Sequence, residues 1–439
     1  MKVKIYERFD FFIILAVLVL SVLGVLFIYS SGIDSSGLLK NKDYYKQIVW
    51  CIVGFVLMLS CTFIDYRKLK RYTGYAAILL TLALIYTAFF GQKLNGARSW
   101  IGIGSLGIQP SEFGKLVFTL FLARYLEKSE QENPRKRFLL SLVILLTPMG
   151  LILLQPDLGT ASAYLPIFLV MCFIANIPIR YIVLVLATGM LTILFTVLPI
   201  WESQIAKRTV LIISVLTNRK LFIVVCAVTL IVAMMGILGQ IFLKKKYFYW
   251  VTYVSGILFT ALILSVMAGK VLQEYQIMRL IIFINPNIDP KGAGWNIINS
   301  QIAIGSGGTF GKGYLMGTQS HYRYLPQQST DFIFSILAEE FGFAGGIAVF
   351  ASFLVIMLRG LSVIRTTTSH FGAYISSGFL GMFFYHFLVN VGMVMGIMPI
   401  TGIPLPFVSY GGSAYLTNSI AMGLIMSIRA RRLDFDAVV

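Results

Sequence analysis

Apolar residues run along this chain in blocks near the roughly 20 residues that an α-helix needs to cross a bilayer, separated by short polar or charged stretches. The blocks predict spans at about 11–30, 47–64, 73–90, 111–126, 138–154, 159–176, 181–199, 221–243, 247–268, 343–358, 372–396 and 413–428. A transmembrane barrel would show short segments of strict alternation instead. The pattern therefore predicts an all-α polytopic membrane protein of about 12 transmembrane helices, a single integral membrane domain over 1–439. Residues 221–268 read as a hairpin turning at Lys244, Lys245 and Lys246, and 202–220 as an amphipathic or interfacial piece. One long segment, 270–331, lacks an apolar period and is rich in glycine and polar residues. With both termini cytoplasmic, an even number of spans in the 221–268 region leaves this large loop extracytoplasmic; one more span would bring it inside.

Composition agrees with the pattern. Only 12% of residues are charged, against about 25% in soluble domains. A net charge of +18 would suggest nucleic acid in a soluble chain. Here Lys and Arg crowd short loops, such as Arg67, Lys68, Lys70 and Arg71, as they do at the cytoplasmic ends of spans, so no nucleic-acid partner is expected. Cys51, Cys61, Cys172 and Cys226 lie inside apolar blocks and read as small buried hydrophobes. No small-residue cleavage site stands out after the first block. A Ser–His–Asp set, a Cys/His metal cluster and a P-loop are all missing from the sequence, which argues against protease, zinc-hydrolase and ATPase chemistry.

Acidic residues then narrow the candidate chemistry. Ten fall outside the cytoplasmic segments: Asp34, Asp43, Glu112, Asp157, Glu202, Glu274, Asp289, Asp331, Glu339 and Glu340. Glu112 and Lys115 share one helix face just after Pro110. They form either an internal ion pair that serves packing or, with Arg98, a polar pocket suited to a phosphate or pyrophosphate group. Asp157 reads as a helix N-cap, or as the holder of a cation or a second basic group. Thr330 and Asp331 look like another cap, with Glu339 and Glu340 following in an otherwise apolar helix broken at Gly342, Gly345 and Gly346. His321 stands among aromatics and suits a surface or packing role. Asp289 lies between Pro286, Pro290, Gly292 and Gly294. It could serve as an Asx-turn or as a general base acting on a hydroxyl, with the glycines expected to supply unusual backbone angles.

Taken together, the motifs resemble the SEDS family (shape, elongation, division and sporulation). They are Asn95-Gly96-Ala97-Arg98-Ser99-Trp100, Gln109-Pro110-Ser111-Glu112 with Lys115, Gln155-Pro156-Asp157-Leu158-Gly159-Thr160, and Asn285-Pro286-Asn287-Ile288-Asp289-Pro290 with Gly292 and Gly294. Further along come Gln301 to Gly308, Gly317-Thr318-Gln319, Leu325-Pro326, Thr330 to Phe334, Glu339-Glu340 and Ser409-Tyr410-Gly411-Gly412-Ser413. Gly317-Thr318-Gln319 and the short tail favour the elongation member over the division member.

The resemblance implies a peptidoglycan glycosyltransferase of the bacterial cytoplasmic membrane that polymerises lipid II. It assigns Asp289 as the base that deprotonates the acceptor 4-hydroxyl. Arg98 and Lys115 become candidates to meet the departing undecaprenyl pyrophosphate, alone or with a divalent cation, Mg or Mn. Glu112, Gln155, Asp157, Thr160, Gln319, Ser409, Gly411 and Gly412 become candidates for substrate binding. It further implies a class B penicillin-binding protein as transpeptidase partner, other elongation-complex membrane proteins, and an apolar groove between spans for the polyprenyl chain. Two departures stand out. The family core has about ten spans, so 221–268 reads as an insertion, and Gln327 stands where Glu commonly follows Leu-Pro. A lipid II flippase or transporter and a non-catalytic scaffold of the wall-synthesis complex are the alternatives.

Overall fold

Each block predicted to span is helical in the computed structural model, which describes residues 9–94, 97–103, 106–203, 210–272, 274–290, 292 and 294–431. The chain divides into two units, one of Met1–Ile177 with Asp289–Val439 and one of Pro178–Ile288. The first unit opens with helices α1 (Phe11–Gly32), α2 (Asp43–Phe63), α3 (Tyr66–Leu69) and α4 (Thr73–Phe90). After a small sheet come α5 (Pro110–Lys128), α6 (Pro134–Leu153) and α7 (Leu158–Ile174). The second unit holds α8 (Ile179–Trp201), α9 (Leu211–Thr217), α10 (Arg219–Leu243), α11 (Lys246–Val271) and α12 (Glu274–Ile284). The first unit resumes with α13 (Trp295–Ser306), α14 (Thr318–His321), α15 (Ile333–Thr366), α16 (His370–Val394) and α17 (Gly412–Ala430).

Among the described residues, nine helices are long and apolar enough to cross a membrane. Three of the twelve predicted blocks, α5, α7 and α17, fall short of that. Helix α7 has 17 residues, and α5 and α17 carry buried polar groups such as Glu112, Lys115, Thr417 and Asn418. The reason is their position. Helix α16 packs on α5, α7, α15 and α17, so these helices face one another and need no uniformly apolar surface. Small residues allow the close approach: a Cβ on Gly378 would lie 2.7 Å from the Met171 sulfur, and one on Gly423 would lie 2.4 Å from the Met58 carbonyl.

Basic residues at one end of the first unit close helix termini. The last carbonyls of a helix have no intrahelical donor, and a guanidinium both satisfies them and suits the negative end of the dipole. Arg431 donates to the carbonyls of Thr62 (3.1 Å) and Phe63 (2.6 Å) at the end of α2. Arg137 donates to Leu126 in α5 and to Ala175 beyond α7, both at 2.7 Å. Asp10 caps α1 through the Phe12 N–H (3.1 Å) and pairs with Arg359 at 3.5 Å and with Arg429.

The structure changes the sequence reading in three places. The stretch expected to be a polar loop before α5 is an antiparallel sheet of β1 (Gln92–Leu94), β2 (Ala97–Ile103) and β3 (Leu106–Ile108). The predicted span at 343–358 and the returning helix at 331–341 are joined in α15, kinked only at Gly342 (φ 62°, ψ −154°) and not at Gly345 or Gly346. Segment 270–331 contains helices α12, α13 and α14, and the division between the two units falls within it. In the interfacial piece, α9 is helical, while 204–209 lie outside the described residues.

Within the second unit, α10 and α11 follow one another with Lys244 left-handed between them (φ 52°). A Cβ on Gly236 would meet the Thr252 hydroxyl oxygen at 2.4 Å, so the two helices are in close contact. The Glu202 carboxylate accepts from the Val210 N–H (2.5 Å) and the Thr217 hydroxyl (3.2 Å), which ties α9 to the end of α8.

Candidate functional site

Asp289 is set in a self-closing turn. Its Oδ1 accepts the Gly292 N–H at 3.0 Å, and its carbonyl accepts from Gly292 (3.3 Å) and Gly294 (3.0 Å). The Gly292 carbonyl then accepts the Trp295 N–H (3.1 Å), which launches α13. The carboxylate is half-buried. The glycines serve a different purpose from the one expected. Neither Gly292 nor Gly294 has positive φ, but a Cβ on Gly292 would sit 2.0 Å from Asp289 Oδ2. Gly292 is therefore needed for close approach to the carboxylate. Lys291 and Ala293 lie outside the described residues.

Past α13, residues 307–321 are fastened to the kinked start of α15. At a kink the i→i−4 ladder is interrupted and backbone groups must find other partners. Here the freed N–H groups of Phe343 and Ala344 donate to the carbonyls of Gly308 (2.9 Å) and Thr309 (3.0 Å). The freed carbonyls of Glu339 and Glu340 accept from Lys312 and Gly313, both at 3.0 Å. The two carboxylates complete the attachment. Glu339, fully buried, accepts from Lys312 Nζ (2.8 Å), the Thr318 N–H (2.8 Å) and hydroxyl (2.9 Å), and the Gln319 N–H (3.0 Å). Glu340 accepts from the Ser30 hydroxyl and the Leu315 N–H (3.1 Å), with His321 Nε2 at 3.8 Å. His321 also lies 3.3 Å from the Ile33 carbonyl through Nδ1. Gln319 thus contributes its backbone here, while its Oε1 is buried without a hydrogen bond among the described residues.

The residues from α4 to α7 form a second polar group. Lys115, 1% exposed, binds both Glu112 oxygens at 2.9 Å and has His386 Nε2 at 3.3 Å. His386 Nδ1 lies 3.2 Å from the Pro404 carbonyl. That contact makes Nδ1 the donor and leaves Nε2 to accept from the ammonium. Arg98 is exposed on β2, and its guanidinium makes no hydrogen bond or ion pair with any described residue. Its backbone N–H donates to the Gln155 carbonyl (3.2 Å), and Gln155 Nε2 donates to Thr87 Oγ1 (2.8 Å) and the Leu84 carbonyl (2.9 Å). Asp157 caps α7 through the Thr160 N–H (3.0 Å) and accepts from the Thr160 hydroxyl and Gln109 Nε2, both at 2.8 Å. The Gln109 N–H donates to Ser413 (3.1 Å), which brings the starts of α5, α7 and α17 together. The Asn95 and Gly96 of the first motif lie outside the described residues.

Ser409, Gly411 and Gly412 belong to a third group. Ser409 donates to the Thr330 carbonyl (2.6 Å) and accepts the Leu405 N–H (2.9 Å), and the Tyr410 N–H donates to the Ser329 carbonyl (2.8 Å). Gln47 of α2 bridges the Ser409 carbonyl and the Gly411 N–H, both at 3.4 Å. Gly412 abuts Trp50, which a Cβ would meet at 2.5 Å. An apolar groove of about 480 Å³ runs between α4, α5 and α6, lined by Leu80, Phe118, Phe121, Val143, Ile144 and Pro148 among others.

Sequence reasoning missed His386, Gln109, Gln47 and Lys312 as partners of the site residues. Gln109 carried a signal, since it opens the motif containing Glu112. His386 carried none, being 271 positions from Lys115. Among the described residues, no group of three or more His, Cys, Asp or Glu is placed to hold a metal ion.

These features define a polytopic α-helical membrane protein whose acidic, basic and amide groups are organised around loop segments and helix starts. The chain belongs to the FtsW/RodA/SpoVE family of cell cycle proteins, whose profile matches residues 10–218 and 200–433, in keeping with the resemblance carried by its motifs. It is 51% identical over 433 residues to the peptidoglycan glycosyltransferase RodA of Treponema pallidum (strain Nichols), covering 99% of this chain and 100% of that protein. It is 31% identical over 419 residues to the peptidoglycan glycosyltransferase MrdB of Escherichia coli (strain K12), covering 95% and 93%. Its fold is similar to a chain in a structure described as the structural coordination of polymerization and crosslinking by a peptidoglycan synthase complex, with TM-score 0.66, 24% identity and coverage of 97% and 98%. It is also similar to the crystal structure of the rod shape determining protein RodA of Thermus thermophilus, with TM-score 0.60, 23% identity and the same coverage.

Proposed function

We propose that this chain is a peptidoglycan glycosyltransferase that polymerises lipid II during cell elongation, with Asp289 as general base. The names of relatives that align over nearly its whole length support the activity. One observation carries the mechanism: a half-buried carboxylate held by its own glycine turn, with no room at Gly292 for a side chain. A base must come within about 2.6–3.2 Å of the proton it takes. Asp289 accepts the proton of the acceptor 4-hydroxyl as that oxygen bonds to the donor anomeric carbon. The bond from that carbon to the pyrophosphate breaks, and undecaprenyl pyrophosphate leaves with the electron pair. Donors aimed at developing charge stabilise such a step. Arg98, exposed and without a described partner, is the better placed of the two candidate cations; Lys115 would first have to part from Glu112. Gln155, Asp157, Thr160, Gln319, Ser409, Gly411 and Gly412 frame the substrate, and the groove between α4, α5 and α6 takes the polyprenyl chain.

This mechanism requires 270–331 to be extracytoplasmic, with both termini cytoplasmic and 221–268 an inserted transmembrane hairpin in the bacterial inner membrane. A class B penicillin-binding protein is the proposed partner for crosslinking, alongside elongation-complex membrane proteins. The test is to purify the protein with and without that transpeptidase, supply lipid II and look for glycan polymer. Polymer is expected from the wild type and almost none from Asp289→Asn. Normal polymerisation by Asp289→Asn would overturn the general-base role. Lipid movement across liposomes without polymer would favour transport instead.

A further inference from the structure

A polar cavity of about 570 Å³ lies apart from the residues assigned above to the leaving group and the base. Its size falls within the range of small-ligand sites. Its walls include Lys40 and Asp43 from the stretch joining α1 to α2, Arg323, Gln327 and Gln328 from the segment before α15, and Tyr410.

Two wall residues that are not glycine, Arg323 (φ 57°) and Gln327 (φ 53°), have left-handed backbone. Such conformations are unfavourable for residues other than glycine and persist only when the surroundings impose them. Here the surroundings do. The Arg323 N–H donates to the Ser320 carbonyl (3.1 Å), and the Gln327 carbonyl accepts from Thr330 (3.3 Å) and Asp331 (3.2 Å). Gln328 Nε2 donates to the Ser320 carbonyl (3.0 Å), and Ser409 and Tyr410 hold the next two carbonyls.

The charges on the walls are not equivalent. Lys40 is paired with Asp34 at 2.7 Å, and Asp43 accepts from Asn41 at 2.6 Å. The Arg323 guanidinium makes no hydrogen bond or ion pair with any described residue, although the backbone around it is constrained. Gln328, 9% exposed, has an Oε1 with no hydrogen-bond partner among the described residues. The wall thus combines a guanidinium fork, amides that both donate and accept, and an acceptor carboxylate. A pyrophosphate only accepts and would be repelled by Asp43. A peptide bearing a carboxylate uses all three kinds of group.

We propose that this cavity is a peptide subsite in which Arg323 binds a carboxylate of the peptide carried by the lipid-linked substrate. The inference rests on the glycosyltransferase reading and adds recognition of a part of the substrate remote from the reacting sugars.

The full chain is assayed with lipid-linked disaccharide bearing its free peptide and with the same substrate after amidation of the peptide carboxylates. Loss of one charge-assisted hydrogen bond corresponds to about tenfold in affinity. Amidation is expected to raise the wild-type KM about tenfold. Arg323→Asn, chosen because asparagine tolerates left-handed backbone, is expected to raise KM about tenfold on the free-carboxylate substrate and to add nothing on the amidated one. Arg323→Lys should fall between. A KM increase of equal size on both substrates, or none on either, overturns the proposal. Equilibrium titration of the full chain with a soluble peptide, free or amidated at its carboxylates, decides the matter without polymerisation. The wild type should bind the free peptide about tenfold more tightly than Arg323→Asn does. Equal affinities overturn the subsite even if polymer forms, whereas absence of polymer with the affinity difference intact counts against the glycosyltransferase reading alone.

Discussion

Asp289, just before α13, and Glu339, near the start of α15, are treated in opposite ways. Glu339 is fully buried and accepts hydrogen bonds from Lys312, Thr318 and Gln319. Asp289 is half-buried, and its carboxylate receives the N–H of Gly292, three residues on in its own turn. A buried carboxylate already supplied with donors is committed to structure, since every lone pair it offers is used where water cannot replace the partner. A half-buried carboxylate whose Oδ1 is set by the N–H of its own turn keeps its geometry while staying partly open to a substrate. The contrast separates fastening from chemistry between two acids that composition does not distinguish.

The largest expected effect tests the chemical end. Asp289→Asn should lower the polymerisation rate by about 10²–10⁴-fold, the usual contribution of a general base, with the thermal midpoint of the purified protein unchanged. A large loss of stability would place Asp289 with Glu339 instead. Next comes the fastening end. Glu339→Gln leaves Lys312 without its buried partner and should destabilise the protein by about 3 kcal/mol. Hydrogen exchange should then rise across 307–321, and unchanged exchange there would count against the fastening role. Gly292→Ala tests the join between geometry and chemistry. The added Cβ must displace the Asp289 carboxylate, so the rate should fall about tenfold while stability falls by about 1–3 kcal/mol, as in overpacked sites. The rate is measured in the polymer assay and the stability by thermal unfolding.

The smallest effect concerns Asp34, whose partners Lys40 and Ser36 hold its carboxyl well below the usual value of 3.8. A depressed folded-state value stabilises the protein at pH above the unfolded value, and that contribution is lost as pH falls through the folded one. Asp34→Asn should therefore cause a small drop in thermal midpoint at neutral pH that disappears on acidification below the ordinary carboxylate range. A drop that persists in acid would refute the ion-pair origin.

The long helices were legible because a lipid-spanning helix must be largely apolar, and nine of the predicted blocks show this among the described residues. The spacing of Glu112 and Lys115 left an internal pair and a phosphate pocket both open, as the place of Asp157 before α7 left a cap and a cation holder. Other features were not legible. The β1–β3 sheet has too few residues per strand to impose a pattern. The continuity of α15 through Gly342 depends on loop groups at Gly308, Thr309, Lys312 and Gly313 that replace the broken ladder.

By itself, then, the sequence determined a polytopic helical membrane protein of this family, the boundaries of its apolar blocks, and Asp289 as the acid to examine. The tertiary structure alone decided that Lys115 lies sealed against Glu112 and His386, that Gly292 is there to make room for a carboxylate, and that Glu339 and Glu340 anchor the segment following α13. The physical reason is range. Apolar periodicity and i,i+3 spacing are local and written along the chain, whereas a buried polar group is satisfied by whatever donor the fold brings to it, often hundreds of residues away.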